Sequence, residues 1–440
     1  MDTSVKNDGQ ASRRGSGLIP AALRPSRLWS TLQESYGRLR RGEPVPQSVL
    51  SERPHHARGR QTLARGRAER GQGFMLEALE PRLLLSASLE INLGASDDTL
   101  FVTQTADGVS IDLNGSISSH QFSLFDSIVI NGLGGDDAIT FSFDFDAYGE
   151  FAAGISIFGG EGDDVLLLEG SLDLGGRTLL AEADHITTTG AIADAAAVSL
   201  LAVSDTDARL AVNASIRADG AVVLSALAAL STTLTDFGAY VGSSTATVDV
   251  LGDATVIEGT SVAITARNAV SIMASATTNA ADLASFDLSQ TNVTRALVSD
   301  GASVSTTGAG AAPAVAGPSG ARILIEAVDE SVLSLEAAST AAITPVGELD
   351  FSVLSALATL NRNTSAAFDS DAGLQSAGLI QVAARNEGGI ESVAAAGLVG
   401  TSLNTVSDTA SARVAGAEVG QRRAEIHRSQ APRQVFFQVE

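Results

Sequence analysis

Apolar and polar residues alternate with a period of two along much of this chain. Four segments share one plan, a turn residue, then alternating apolar positions, then alanine: Gly220–Ala226 (GAVVLSA), Gly259–Ala266 (GTSVAITA), Gly320–Ala327 (GARILIEA) and Gly378–Ala384 (GLIQVAA). A period of two sends successive side chains to opposite faces of a strand. Small apolar residues can therefore stack inside a narrow coil while Ser, Thr, Asp and Arg stay in water. The closing alanines are 40, 61 and 57 residues apart. These gaps lie near two, three and three multiples of about 20, which predicts stacked rungs with variable loops over 171–420. Further apolar runs, Val270–Met273 and Val332–Leu335, follow two of the kernels. The expected fold is all-β, a right-handed parallel β-helix or β-solenoid-like repeat array. Tandem β-sandwiches are the competing arrangement, and the Ala-rich stretch Ala191–Val203 also reads as a helix.

Between 88 and 170, short β-type runs alternate with Gly/Asp turns. Leu89–Leu93, Thr99–Thr103, Val109–Leu113, Ser127–Ile130 and Ala138–Phe143 predict a separate all-β unit. Residues 1–75 are rich in Arg, Pro, Ser and Gly, a composition that rarely packs. A disordered basic leader is expected there, with one short helix between Ser26 and Gly42 on the spacing of Leu28, Trp29, Leu32, Tyr36 and Leu39. The segment 421–440 is Arg- and Gln-rich and breaks the repeat pattern. A capping element and a truncated or frame-shifted repeat both account for it.

Charge sharpens the picture. Residues 1–75 hold 14 Lys+Arg against 6 Asp+Glu, whereas 76–420 hold 10 against 43. So acidic a body has no wide basic face for nucleic acid, and it suits cation binding or simple solubility. Hydrophobic residues make up 44% of the chain and aromatics only 4%, which fits a narrow stacked interior better than a bulky enzyme core. The absence of cysteine excludes disulfides and thiolate–metal sites. No apolar run approaches the roughly 18 residues of a spanning helix, so no transmembrane helix is expected. The N-terminus lacks the apolar core of a standard signal peptide.

Catalytic signatures are scarce. Lys6 is the sole lysine, which removes a phosphate-binding Walker loop. His55, His56, His120, His185 and His427 fall in no metal-binding spacing, and no G-x-S-x-G elbow occurs. The expectation is a protein that is not an enzyme. A carbohydrate-active solenoid is the alternative, either a polysaccharide lyase or a polysaccharide-binding module. Arg209, Arg217, Arg267, Arg322 and Arg385 are available to it, but no sequence pattern groups them with carboxylates.

Two local motifs carry the remaining information. Gly159–Leu167 (GGEGDDVLL) fits the nonapeptide G-G-x-G-x-D-x-U-x, and Gly132–Thr140 (GLGGDDAIT) fits it except for Leu133. This resembles the calcium-binding RTX repeat, whose paired rungs form a parallel β-roll. The resemblance implies a Ca²⁺ site at Gly159, Gly160, Gly162 and Asp164, and a second at Gly132, Gly135 and Asp137. Asp137 and Asp164 are 27 residues apart, three nonapeptide lengths, although the residues between do not follow the repeat. Ordinary Gly–Asp turns are the plainer reading. A weaker echo is Gly94–Leu100 (GASDDTL). The other motif, Leu76–Ala87 (LEALEPRLLLSA), resembles the LEPR-XLL motif of very large bacterial surface and secreted repeat proteins. That resemblance implies an exported, adhesin-like repeat protein, extracellular or on the cell surface in association with an outer membrane. The expected partners are calcium, on the RTX-like segments, and extracellular polysaccharide or other cell-surface components. A truncated fragment of a giant surface protein is a further alternative.

Overall fold

The computed structural model describes residues 87–278, 283–306, 321–339, 353–369, 373–376, 379–395, 399–415, 424–428 and 435–439. All lie within one compact unit, Arg82–Glu440. The expected disordered leader with its helix, and the LEPR-XLL-like motif up to Ser86, fall outside the described residues.

The described unit is a parallel β-solenoid. Its first sheet contains nine parallel strands, in the order Ser88–Asn92, Ser127–Asn131, Gly154–Phe158, Thr178–Ala183, Ala197–Ser204, Ala221–Ala228, Ser261–Asn268, Ala321–Asp329 and Leu379–Asn386. Chain order equals spatial order, so each strand belongs to the next coil. A second sheet runs beside it from Thr99–Thr105 and Ala138–Asp144 to Val399–Ala415. Strand Val165–Asp173 bends around a corner. It pairs with Ala138–Asp144 and His185–Thr188 in the second sheet, and its end pairs with Ile192–Ala195 in a short third face. The sheets thus pass through 170–171 without a break.

The alternation explains the packing. Val198, Leu200 and Ala202 are buried and lie in register with Leu179, Ala181 and Ala183 on one side and Val222, Leu224 and Ala226 on the other. A column of similar apolar side chains fills the interior without needing aromatic bulk. The stretch Ala191–Val203 is not a helix. It forms strands Ile192–Ala195 and Ala197–Ser204, because its alternate residues enter these columns. Successive coils pair in parallel, which rules out tandem sandwiches for the described residues. Among the described residues, antiparallel pairing is confined to the hairpins at the two ends.

The expected rungs of about 20 residues hold for the coils from Leu179 to Val198, 19 residues, and from Val198 to Val222, 24 residues, but not between the kernels. Ala226 pairs with Ala266, Ala266 with Ala327 and Ala327 with Ala384, so each gap between kernels is one coil. The added length builds a second lobe. A fourth sheet is inserted, Ser231–Leu234, Ser271–Thr278, Val332–Ser339 and Gly389–Ala395, and the second-sheet strands grow to the 17 residues of Leu283–Ser299, Val353–Asp369 and Val399–Ala415. One half of each long strand closes the main core, through Ala296 and Val298. The other half, through Phe286 and Leu288, closes a second core with Ile272, Leu333 and Leu335.

Candidate acidic corner

The first- and second-sheet strands of the early coils meet at a Gly/Asp corner. There the two RTX-like segments lie one directly over the other. Ala138 pairs with Val165 and Gly134 bridges Glu161, so Gly132, Leu133, Gly135 and Asp137 sit over Gly159, Gly160, Gly162 and Asp164. The 27-residue spacing is therefore one coil, not three nonapeptide turns. The Gly94–Leu100 echo belongs to the same corner, because Thr99 pairs with Ala138.

The turn backbone explains the glycines. Gly162 has φ 136°, and a β-carbon there would run into the carbonyl oxygen of Gly135 in the preceding coil. Leu133 takes φ 74° where its stacked partner Gly160 has 117°. A leucine in this region costs about 1–2 kcal/mol, so the departure from the motif is tolerated at some strain.

Two columns of aspartate run through the corner in opposite senses. In the inner column each carboxylate accepts the amide of the aspartate one coil earlier. Asp98 N donates to Asp137 Oδ1 at 2.9 Å, Asp137 N to Asp164 Oδ1 at 3.0 Å, and Asp164 N to Asp184 Oδ2 at 3.0 Å. In the outer column the amide comes from the following coil: Asp136 N donates to Asp97 Oδ1 and Asp163 N to Asp136 Oδ1, each at 3.0 Å. The aspartates thus supply ladder bonds where the backbone leaves the strand geometry.

This arrangement crowds negative charge. Neighbouring strands are about 4.8 Å apart, and two unit charges at that separation repel by about 3 kcal/mol at an effective dielectric near 20. Asp137 and Asp164 are each 1% exposed. Burial raises the Asp137 carboxyl above its usual range, against the Asp98 amide that lowers it, with the charges of Asp98, Asp97 and Asp136 raising it further. Burial pushes Asp164 up to about 6, with Asp184 and Asp137 adding to the shift. Asp184 is raised by burial against its hydrogen bonds from Asp164 N and Ser204, and Glu182 is raised by burial and by Asp184. Asp98 goes the other way, lowered by hydrogen bonds from the Gly94 amide and the Asn114 side chain. Asp137 Oδ2 and Asp164 Oδ2 are buried without a hydrogen-bond partner. Among the described residues, no three Asp, Glu or His side chains converge as a ready-made metal centre.

Asp97, Asp98, Asp136, Asp163 and Asp184 were not singled out as sites by sequence reasoning. A shared signal exists in Asp98-Thr-Leu, Asp137-Ala-Ile, Asp164-Val-Leu and Asp184-His-Ile, an aspartate two residues before the first inward apolar position. Asp184 lies outside any Gly-rich motif.

The arginines considered for carbohydrate chemistry do meet carboxylates, one apiece or more. Arg209 pairs with Asp207, Arg217 with Glu258, Arg267 with Glu330, and Arg385 with Glu326 and Glu387. The side chain of Arg322 is outside the described residues. Comparison with protein-family models, with curated proteins and with solved structures finds no match for this chain.

Proposed function

We propose that this protein is a non-catalytic, exported structural element of the cell surface, adhesin-like in build, whose acidic corner is stabilised by calcium. The observation that carries the reading is how the buried polar groups of the corner are used. They tie one coil to the next instead of converging on a cleft. Export rests on the LEPR-XLL-like motif and calcium on the RTX-like segments.

The donor chemistry of the corner suits a hard cation. Carboxylate and turn carbonyl oxygens are the ligands calcium prefers. Asp137 and Asp164 each keep one buried oxygen without a partner. Asp137 and Asp164, with the carbonyls of the glycine turns, are the groups that would hold the ion. Its charge would offset the repulsion within the columns.

Titration calorimetry of the full chain with calcium, and thermal melting with and without chelator, test the calcium part. Saturable heat and a lower melting temperature in chelator are expected; no heat and no shift would remove calcium from the reading. Fractionation of the native cells tests export, with the protein expected outside the cytoplasm. Recovery wholly in the cytosolic fraction contradicts it.

A further inference from the structure

The two ends of the described stack are stepped, and the steps match over the main lobe, the second lobe belonging to the late coils alone. At the early end a hairpin, Gly108–Leu113 and Ser116–Gln121, adds two strands beyond Thr99–Thr105 on the second sheet. At the late end another hairpin, Val435–Val439 and Ala424–Arg428, adds two strands beyond Leu379–Asn386 on the first sheet. Among the described residues, Ser88–Asn92 and Val399–Ala415 each pair on one side only. Each end therefore projects two strands on one sheet and is recessed on the other. The sheets that project at the two ends are the complementary ones, and two strand spacings make each step roughly 10 Å deep.

Direction agrees as well. Each hairpin reverses the chain twice, so its outer strand, Ser116–Gln121 or Ala424–Arg428, runs in the same direction as the coils. Both outer edges are set for the parallel pairing used throughout the solenoid.

We propose that copies of this chain stack head to tail, the projecting hairpin of each end filling the recess of its neighbour. Register fixes what meets. The second-sheet pairings carry the columns of Thr99–Val102 coil by coil to Ser411–Val414, and the hairpin pairings place Ile117 in the same column as Phe101 and Arg413. On the first sheet the column of Ile91 ends at Ile426 and that of Glu90 at Glu425. The register thus carries the Ile91 column across the junction on the first sheet, while on the second sheet the inward columns of Leu100 and Val102 end at Ser116 and Ser118. The acidic body opposes association, so salt promotes assembly. Ile117 is 71% exposed in the single chain and, like Phe101 in its column, faces outward, so the stack sets it beside Arg413 of the neighbour. Because the contact is head to tail, it does not close on itself and yields open-ended rods.

Sedimentation and negative-stain microscopy of the full chain in high salt test this. Rods lengthening with concentration are expected for the natural chain. Ile117→Lys sets a charge against Arg413 of the neighbour, and Ile426→Lys puts a charge into the Ile91 column. Each variant alone should stay monomeric while melting like the parent. Mixed, they should form one-to-one pairs and nothing longer, since each retains one good end. A natural chain that stays monomeric at every concentration and salt overturns the proposal. So do variants that assemble like the parent, or a mixture that fails to pair.

Discussion

Asp164→Asn isolates the energetic cost of the acidic corner. The folded-state carboxyl titrates at about 6 against a reference of 3.8. The folded state therefore holds this proton more tightly than the unfolded chain. The stabilisation is complete below about pH 4 and is lost as pH rises through about 6. A difference of roughly two pKa units corresponds to about 3 kcal/mol of destabilisation at neutral pH. Asparagine retains a carbonyl oxygen to accept the Asp137 amide and carries no charge. In chelator at pH 7.5 the variant should exceed the parent by up to ~3 kcal/mol, and the gap should close towards pH 4. For a chain of this size that is a melting difference of roughly 5 °C. Repeat arrays melt in pieces, so amide exchange within Val165–Asp173 is the local readout. Calcium should reverse the order by stabilising the parent alone. The reasoning is refuted if, in chelator, the parent loses stability between pH 7.5 and 5 and the variant melts below it at pH 7.5.

Three further substitutions probe other parts of the stack. Gly162→Ala forces a β-carbon against the Gly135 carbonyl at a φ of 136°, and a loss of about 2–3 kcal/mol is expected by urea titration; an unchanged midpoint contradicts the close coil approach. Ala266→Leu inserts bulk between Ala226 and Ala327, and should lower the urea midpoint by the equivalent of about 1–3 kcal/mol. Arg362→Met removes the double hydrogen bond to Asp408 and the bond to the Glu387 carbonyl. The cost should be about 3 kcal/mol, with faster amide exchange across 353–415 and none in the early coils.

The parts of this fold that follow from local alternation were legible in the sequence. The kernels ending at Ala226, Ala266, Ala327 and Ala384 do stack alanine on alanine. The length of the later coils was not, because a strand pattern records faces and not how far the chain travels before returning. The lateral lobe was missed for the same reason, although Leu283–Ser299 held a clue. Its inward positions run Phe286, Leu288, Gln290, Asn292, Thr294, Ala296 and Val298, a polar seam between two apolar ends. That seam separates the two cores, and Asn268, Asn292 and Ser331 bridge it with hydrogen bonds: Asn268 Nδ2 to Thr294 Oγ1 at 2.7 Å, and Asn292 Nδ2 to Ser331 Oγ at 2.6 Å. At the corner, the glycine motif located Asp137 and Asp164. The ladder that recruits Asp98 and Asp184 depends on stacking, which no linear motif records.

Paired cysteines give the most direct check, since the chain has none of its own. The Thr265 hydroxyl donates to Ser225 Oγ at 2.9 Å across one coil of 40 residues. Ser225→Cys with Thr265→Cys should form a disulfide quantitatively under mild oxidation. Ser225→Cys with Thr245→Cys, the partner demanded by a 20-residue coil, should stay reduced. Crosslinking of the second pair and not the first would contradict the long-coil solenoid.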